Sequence, residues 1–176
     1  MITFVDTNDL PNDDTGDLAG PVAPGADLLD LARRHAARPA DWPLAPRFDP
    51  RERWYHRLAA AAGHEIWLLT WLPGQGTDLH DHGGCAGAFV VVSGQLTEAI
   101  VTTPPGTDRA RLVGTVLARG GGRRFGTRHI HQITNSGTRP AVSVHAYRPA
   151  LKTMTRYRLD TGTLRVAAVD RAGAQW

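Results

Sequence analysis

From residue 64 to residue 169 the chain is cut every few positions by glycine or proline, and the pieces between the cuts are short, apolar and rich in β-branched and aromatic side chains. The runs fall at 64–72, 86–92, 95–103, 111–117, 129–134, 141–147, 152–160 and 163–169. Pro73-Gly74, Ser93-Gly94, Pro104-Pro105-Gly106, Gly120-Gly121-Gly122, Ser136-Gly137 and Thr161-Gly162 separate most of them. Roughly eight short strands at such spacing predict an all-β sandwich or barrel. Ahead of them, residues 1–25 are rich in Asp, Pro and Gly and read as a loose N-terminal segment. Leu28, Leu29, Leu31, Ala32 and Ala36 fit an amphipathic helix over 27–38, stopped by Pro39. Residues 39–50 read as a connector, with Trp42 and Phe48 against one side of the core, and residues 51–62 as a short helix or extended turn ending at Gly63. The expected organisation is a single domain over 1–176: a loose segment to 25, a helical lead-in over 26–62 and a β-barrel over 63–170.

A chain of 176 residues is long enough for one domain with a real hydrophobic core. Its net charge of +3 is spread over scattered arginines, with Arg123, Arg124 and Arg128 the one loose group, so no nucleic-acid partner is expected. The single cysteine, Cys85, excludes an internal disulfide framework and a zinc site built from several thiolates. A reducing, cytoplasmic location fits that usage. The N-terminus lacks a basic region followed by an apolar core, and no apolar run approaches the roughly 18 residues of a membrane span. A monomer without membrane attachment is therefore expected.

Two histidines stand one residue apart in Gly74-Gln75-Gly76-Thr77-Asp78-Leu79-His80-Asp81-His82. On extended backbone, alternate side chains share a face, so two imidazoles can reach one metal. A third ligand has to come from elsewhere, and the run from 129 to 134 offers His129 and His131 on a common face. Ser143, His145 and Tyr147 share a face in the same way and form a possible hydrogen-bonded relay. The alternatives are a polar loop that happens to carry histidines and a core polar cluster that satisfies itself.

The spacing Gly74-x5-His80-x-His82, then Gly87-x6-Gly94, resembles the first motif of cupins, and His131-x3-Asn135 resembles the end of the second. Within cupins, residues 51–160 are most similar to cysteine dioxygenase and related thiol dioxygenases. The resemblance implies a jelly-roll (double-stranded β-helix) barrel with Fe(II) held by His80, His82 and His131. It assigns catalytic roles to Ser143, His145 and Tyr147. The family's carboxylate-binding arginine, in a Tyr-x-Arg context, falls on Arg57 within Tyr55-His56-Arg57; relatives acting on 3-mercaptopropionate carry glutamine there. Gly87 stands where many cupins carry a glutamate ligand and where mammalian-type cysteine dioxygenases carry a cysteine joined to the catalytic tyrosine. Tyr147 is accordingly expected to be unmodified, and Arg148-Pro149 matches a bond that is cis in the family.

The chemistry wants these residue types on its own account. A facial set of three ligands leaves positions open for a substrate and dioxygen. Three neutral imidazoles also leave the site more positive than two with a carboxylate, which favours an anionic thiolate. The leading expectation is thus an iron enzyme whose partners are a small thiol and O2, converting L-cysteine to cysteine sulfinate. Arg57, with Tyr55 beside it, would hold the carboxylate. Another carboxylated thiol, such as 3-mercaptopropionate or ergothioneine, and a non-catalytic metal- or ligand-binding cupin are the rivals. Trp71, Glu98, Asp78 and Asp81 are candidate supports for the site.

Overall fold

The computed structural model describes residues 2–4, 27–61 and 63–171. Its strands are β1 (Ile2–Phe4), β2 (Tyr55–Ala61), β3 (His64–Trp71), β4 (Leu79–His80), β5 (Ala86–Ser93), β6 (Gln95–Thr102), β7 (Arg111–Ala118), β8 (Gly122–Phe125), β9 (His131–Thr134), β10 (Ala141–Arg148), β11 (Thr153–Asp160) and β12 (Thr163–Arg171). They form a seven-stranded sheet, β1-β7-β6-β9-β4-β11-β12, facing a five-stranded sheet, β2-β3-β10-β5-β8. All pairings are antiparallel except β1 with β7. Neighbours in each sheet are mostly distant in sequence, as in a jelly roll, and the chain is a cupin-type double-stranded β-helix.

Strand alternation divides the interior into two cores. Trp71, Phe89, Val91, Leu96, Phe125, Ile133 and Tyr147 pack between the sheets. On the outer face of the five-stranded sheet, Ile66, Leu68, Val90, Val142, Val144 and Ala146 meet the helix α1 (Leu28–Ala36) through Ala32. Asp27 caps α1 by accepting from the Leu29 amide at 2.9 Å. The central strand β10 is therefore buried on both faces, Val142, Val144 and Ala146 pointing to the helix and Ser143, His145 and Tyr147 into the barrel.

Two expectations from the sequence need correction here. The segment 51–62 shows no helix among its described residues: after a short 3₁₀ turn at Pro39–Asp41 the lead-in becomes strand β2, paired along β3 from Tyr55↔Leu69 to Ala61↔His64. The alanines at 59–61 favour helix, but edge pairing with β3 overrides that weak preference. Of the two expected aromatic covers, Trp42 packs on the helix-side core, whereas Phe48 is exposed. The loose-segment expectation for residues 1–25 lies outside the described residues apart from the short strand β1.

The β3–β4 and β9–β10 connections are tied together by Asn135, which is fully buried. Its amide donates to the carbonyls of Trp71 at 3.0 Å and Arg139 at 2.8 Å, and its Oδ1 accepts from the Gly137 amide at 3.0 Å. Its backbone pairs with Gly74 and Gln75. Asn135→Ala removes the side-chain partner of three backbone groups, the Trp71 carbonyl being the buried one, so a loss of about 1–3 kcal/mol is expected, read as a lowered urea midpoint at unchanged slope.

Candidate metal centre and its cavity

The two-residue strand β4 lies between β9 and β11, with His80 directly opposite His131 on one side and Arg156 on the other. That register puts two imidazoles of neighbouring strands on the inner face, their ring centroids 4.9 Å apart. His82 follows in a loop turned by Gly83 and Gly84, at φ of 58° and 84°, a left-handed conformation that suits glycine. The Cys85 amide closes the loop on the His82 carbonyl at 3.1 Å, and the ring of His82 comes within 4.8 Å of that of His80. One ligand atom from each of His80, His82 and His131 lies within 4.8 Å of the others, and all three residues are buried.

The hydrogen bonds leave these rings suited to a metal. His80 Nδ1 is engaged by the Asp78 carbonyl at 2.8 Å and His131 Nδ1 by Glu98 Oε1 at 2.7 Å, so each has its Nε2 available. Among the described residues, neither ring nitrogen of His82 has a hydrogen-bond partner. Burial lowers all three pKa values, that of His80 to about 3, and the neighbouring imidazoles add to the effect. The rings are neutral at pH 7, the state a metal requires. An orphaned buried imidazole beside two oriented ones fits a divalent cation.

Glu98 brings a formal negative charge against this cluster. It is buried on β6 and touches His131, His129 at 3.1 Å and Arg123 at 3.0 Å. Burial alone would raise its pKa; the hydrogen bonds from His129 and His131 hold it well below the carboxylate range. His129 is thus a partner of the carboxylate beside His131. Asp81 supports the loop instead of an imidazole: its carboxylate accepts from the Gly83 amide at 2.8 Å and the Tyr157 hydroxyl at 2.6 Å.

Beyond the imidazoles lies a cavity of about 50 Å³ lined by Arg53, Tyr55, Trp71, His80, His131, His145 and Tyr147, with apolar cover from Trp67, Leu69, Ile133, Leu151 and Met154. One wall is a directional relay. Trp71 Nε1, which can only donate, binds Ser143 Oγ at 2.9 Å. The Ser143 hydroxyl meets His145 Nε2 at 2.8 Å, and His145 Nδ1 meets the Tyr147 hydroxyl at 3.2 Å. With Ser143 donating to Nε2, the neutral imidazole carries its proton on Nδ1 and donates to Tyr147, leaving the phenolic O–H to point elsewhere. Burial raises the Tyr147 pKa, so the phenol keeps its proton.

Tyr55 lines the cavity, but Arg57 does not. Its side chain is 53 % exposed, held by Glu65 at 3.2 Å and lying over Trp67 at 5.8 Å. The guanidinium in the cavity belongs to Arg53, which lies over Trp71 at 4.8 Å with Nε and Nη1 shielded from solvent. Arg53, Tyr55 and Arg57 alternate onto one face of extended chain, but Arg57 lies farther along β2, opposite Trp67, where Glu65 holds it half exposed. Cys85 is a buried thiol 3.8 Å from the Ala150 carbonyl, its pKa raised by burial, and Arg148–Pro149 is cis.

The profile of the family described as Cysteine dioxygenase type I matches residues 25–160. Cysteine dioxygenase type 1 of Danio rerio is 26 % identical, the match covering 77 % of this chain and 71 % of the relative. Among solved structures, a protein from Thermus thermophilus superposes with a TM-score of 0.51 at 18 % identity, covering 60 % of this chain and 90 % of that one. A recombinant oxalate oxidase in complex with glycolate gives 0.50 at 15 % identity, covering 62 % and 57 %. These two similarities concern the fold alone. Matched over most of its length by the family profile, and carrying a cluster of three buried imidazoles, this chain belongs to the cysteine dioxygenase type I family.

Proposed function

We propose that the protein holds Fe(II) through His80, His82 and His131 and uses O2 to oxidise the sulfur of a small carboxylated thiol, L-cysteine in the first instance, to the sulfinate. The observation that carries this reading is the cavity that Arg53, His80, His131, His145 and Tyr147 line together, with His82 completing the cluster of three imidazoles. Both oxygen atoms of O2 go to sulfur, which loses four electrons as O2 gains four. The thiol proton leaves to solvent, and no other reductant is needed. Iron, when bound, supplies Lewis acidity for the thiolate and a redox centre for dioxygen.

The chain's own residues do the rest. Arg53 receives the substrate carboxylate in a charge-assisted pair, which orients the thiol toward the imidazoles. Trp71 backs that guanidinium and fixes the relay's direction through Ser143 and His145, so that Tyr147 presents its O–H toward the reacting groups. Apolar walls from Leu69, Ile133 and Leu151 limit water.

A larger carboxylated thiol is the second reading, favoured by an outer cleft of about 570 Å³. It shares Arg53, Tyr55, Thr77, His80 and Met154 with the inner cavity and continues past Trp54, Asp78 and Arg156. Oxygen uptake by the iron-loaded protein with cysteine, 3-mercaptopropionate, cysteamine and ergothioneine, with products weighed by mass spectrometry, separates these readings. No uptake with any thiol at full iron loading defeats both.

Arg53→Ala is expected to lower kcat/KM for the carboxylated thiol roughly 10- to 100-fold, the value of a hydrogen bond to a charged group, while Arg57→Ala stays within about threefold. Equal losses would return the carboxylate role to Arg57. Tyr147→Phe should leave iron content and KM near those of the parent and reduce kcat roughly 10- to 100-fold. In metal-free protein the folded state keeps His80, His82, His131 and His145 neutral, whereas the unfolded chain binds protons as pH falls below the ordinary histidine value of 6.5. Stability should therefore decline as pH drops from about 6.5 toward 3, by up to about 1.4 kcal/mol per pH unit for each imidazole, in urea titrations of chelated protein.

A further inference from the structure

His80 and His131 are each oriented by a hydrogen bond on Nδ1, whereas His82 has none on either nitrogen. What its ring does have is a flat neighbour. Phe125, at the end of β8, stacks on His82 with centroids 4.8 Å apart and planes 22° apart. The same ring lies 5.0 Å from His129 at 16° and 5.2 Å from His131. Tyr147 closes on His82 at 5.0 Å.

Phe125 can take this position because of the residue across the ladder. Gly87 pairs with Phe125 on β8 and with Tyr147 on β10, so it lies between two aromatic residues in the sheet. A Cβ at Gly87 would fall 2.3 Å from Cζ and 2.4 Å from Cε2 of Phe125, and 3.0 Å from Cδ1 of Tyr147. A side chain at 87 and the ring at 125 therefore exclude one another. An aromatic ring covering a glycine on the neighbouring strand is a known way of restoring sheet packing. Here the covering ring also lies against a ligand.

We infer that Phe125 is the positioning residue for His82: its face sets the plane of the one imidazole that no hydrogen bond orients, and Gly87 is glycine so that the ring can lie there. The inference rests on the reading of His80, His82 and His131 as metal ligands. Ligand rings are ordinarily aimed by a hydrogen bond to the distal nitrogen, and loss of such a support costs about 10- to 100-fold in metal affinity. At His82 a packed ring takes that place.

The test uses Co(II), whose visible absorption reports ligand number and geometry, on the full chain. Phe125→Leu keeps apolar bulk and removes the flat face. It is expected to bind Co(II) at least tenfold more weakly than the parent and to shift the visible bands. Gly87→Ala, which displaces the ring from the other side, is expected to act in the same direction. Ile66→Val, in the core on the far face of the five-stranded sheet, serves as the control for general loosening and should leave affinity within about twofold. Chemical unfolding of each metal-free variant places the comparison at known stability. Parental affinity and spectrum in Phe125→Leu would overturn the inference, as would a loss in Ile66→Val that matches it in proportion to stability. A parent that binds no Co(II) would overturn the metal-site reading itself, and the inference with it.

Discussion

The pairing of one two-residue strand decides whether this barrel has a site. Leu79–His80 is bonded to β9 on one side and β11 on the other, and its register sets His80 opposite His131. Because strand side chains alternate, a slip of one residue would turn His80 to the outer face and bring Leu79 inward. The surrounding structure resists that slip from both ends. Upstream, Thr77 accepts the Ile133 amide on its hydroxyl and donates its own amide to the Ile133 carbonyl. Downstream, the Asp81 amide is held by the Thr155 carbonyl and its carboxylate by Tyr157.

Charge is arranged around the site so that none of it falls on the ligands. Glu98 is buried, and Arg123 balances it by an ion pair from the edge strand β8. The ligand imidazoles stay neutral through desolvation and mutual repulsion. A buried carboxylate with one formal countercharge and two imidazole N–H donors is satisfied electrostatically without protonating any ligand. The cavity's remaining formal charge is Arg53, whose burial lowers its pKa without taking it from the protonated range of arginine.

Much of this was legible in the sequence for a simple reason: where function needs side chains two apart on extended backbone, the spacing survives as text. His80-x-His82 and Ser143-x-His145-x-Tyr147 are such cases, and the glycine and proline punctuation made the strands between them visible. What escaped depends on partners distant in the chain. Arg57 was singled out by its Tyr-x-Arg context; that Arg53 lines the cavity while Arg57 lies opposite Trp67 and pairs with Glu65 shows only in the folded chain. The strand Gly122–Phe125 was hidden by its two arginines, of which Arg124 is exposed and Arg123 turns to the buried Glu98, and with it the ring against His82. Glu98 was named with Asp78 and Asp81 as a candidate support; that its carboxylate is the one facing His131 follows from the β6–β9 register, which no local pattern announces.

Trp71 links two ends of the cavity that are usually considered apart. One edge of its indole donates to Ser143, and its face carries Arg53. A single rigid plate thus backs both the cationic pole and the start of the phenol relay. Any exchange of Arg53 also alters the footing of the indole, and with it the hydrogen bond to Ser143. The cationic end of the cavity and the start of the relay are therefore mechanically coupled, and a change at either one is felt at position 71.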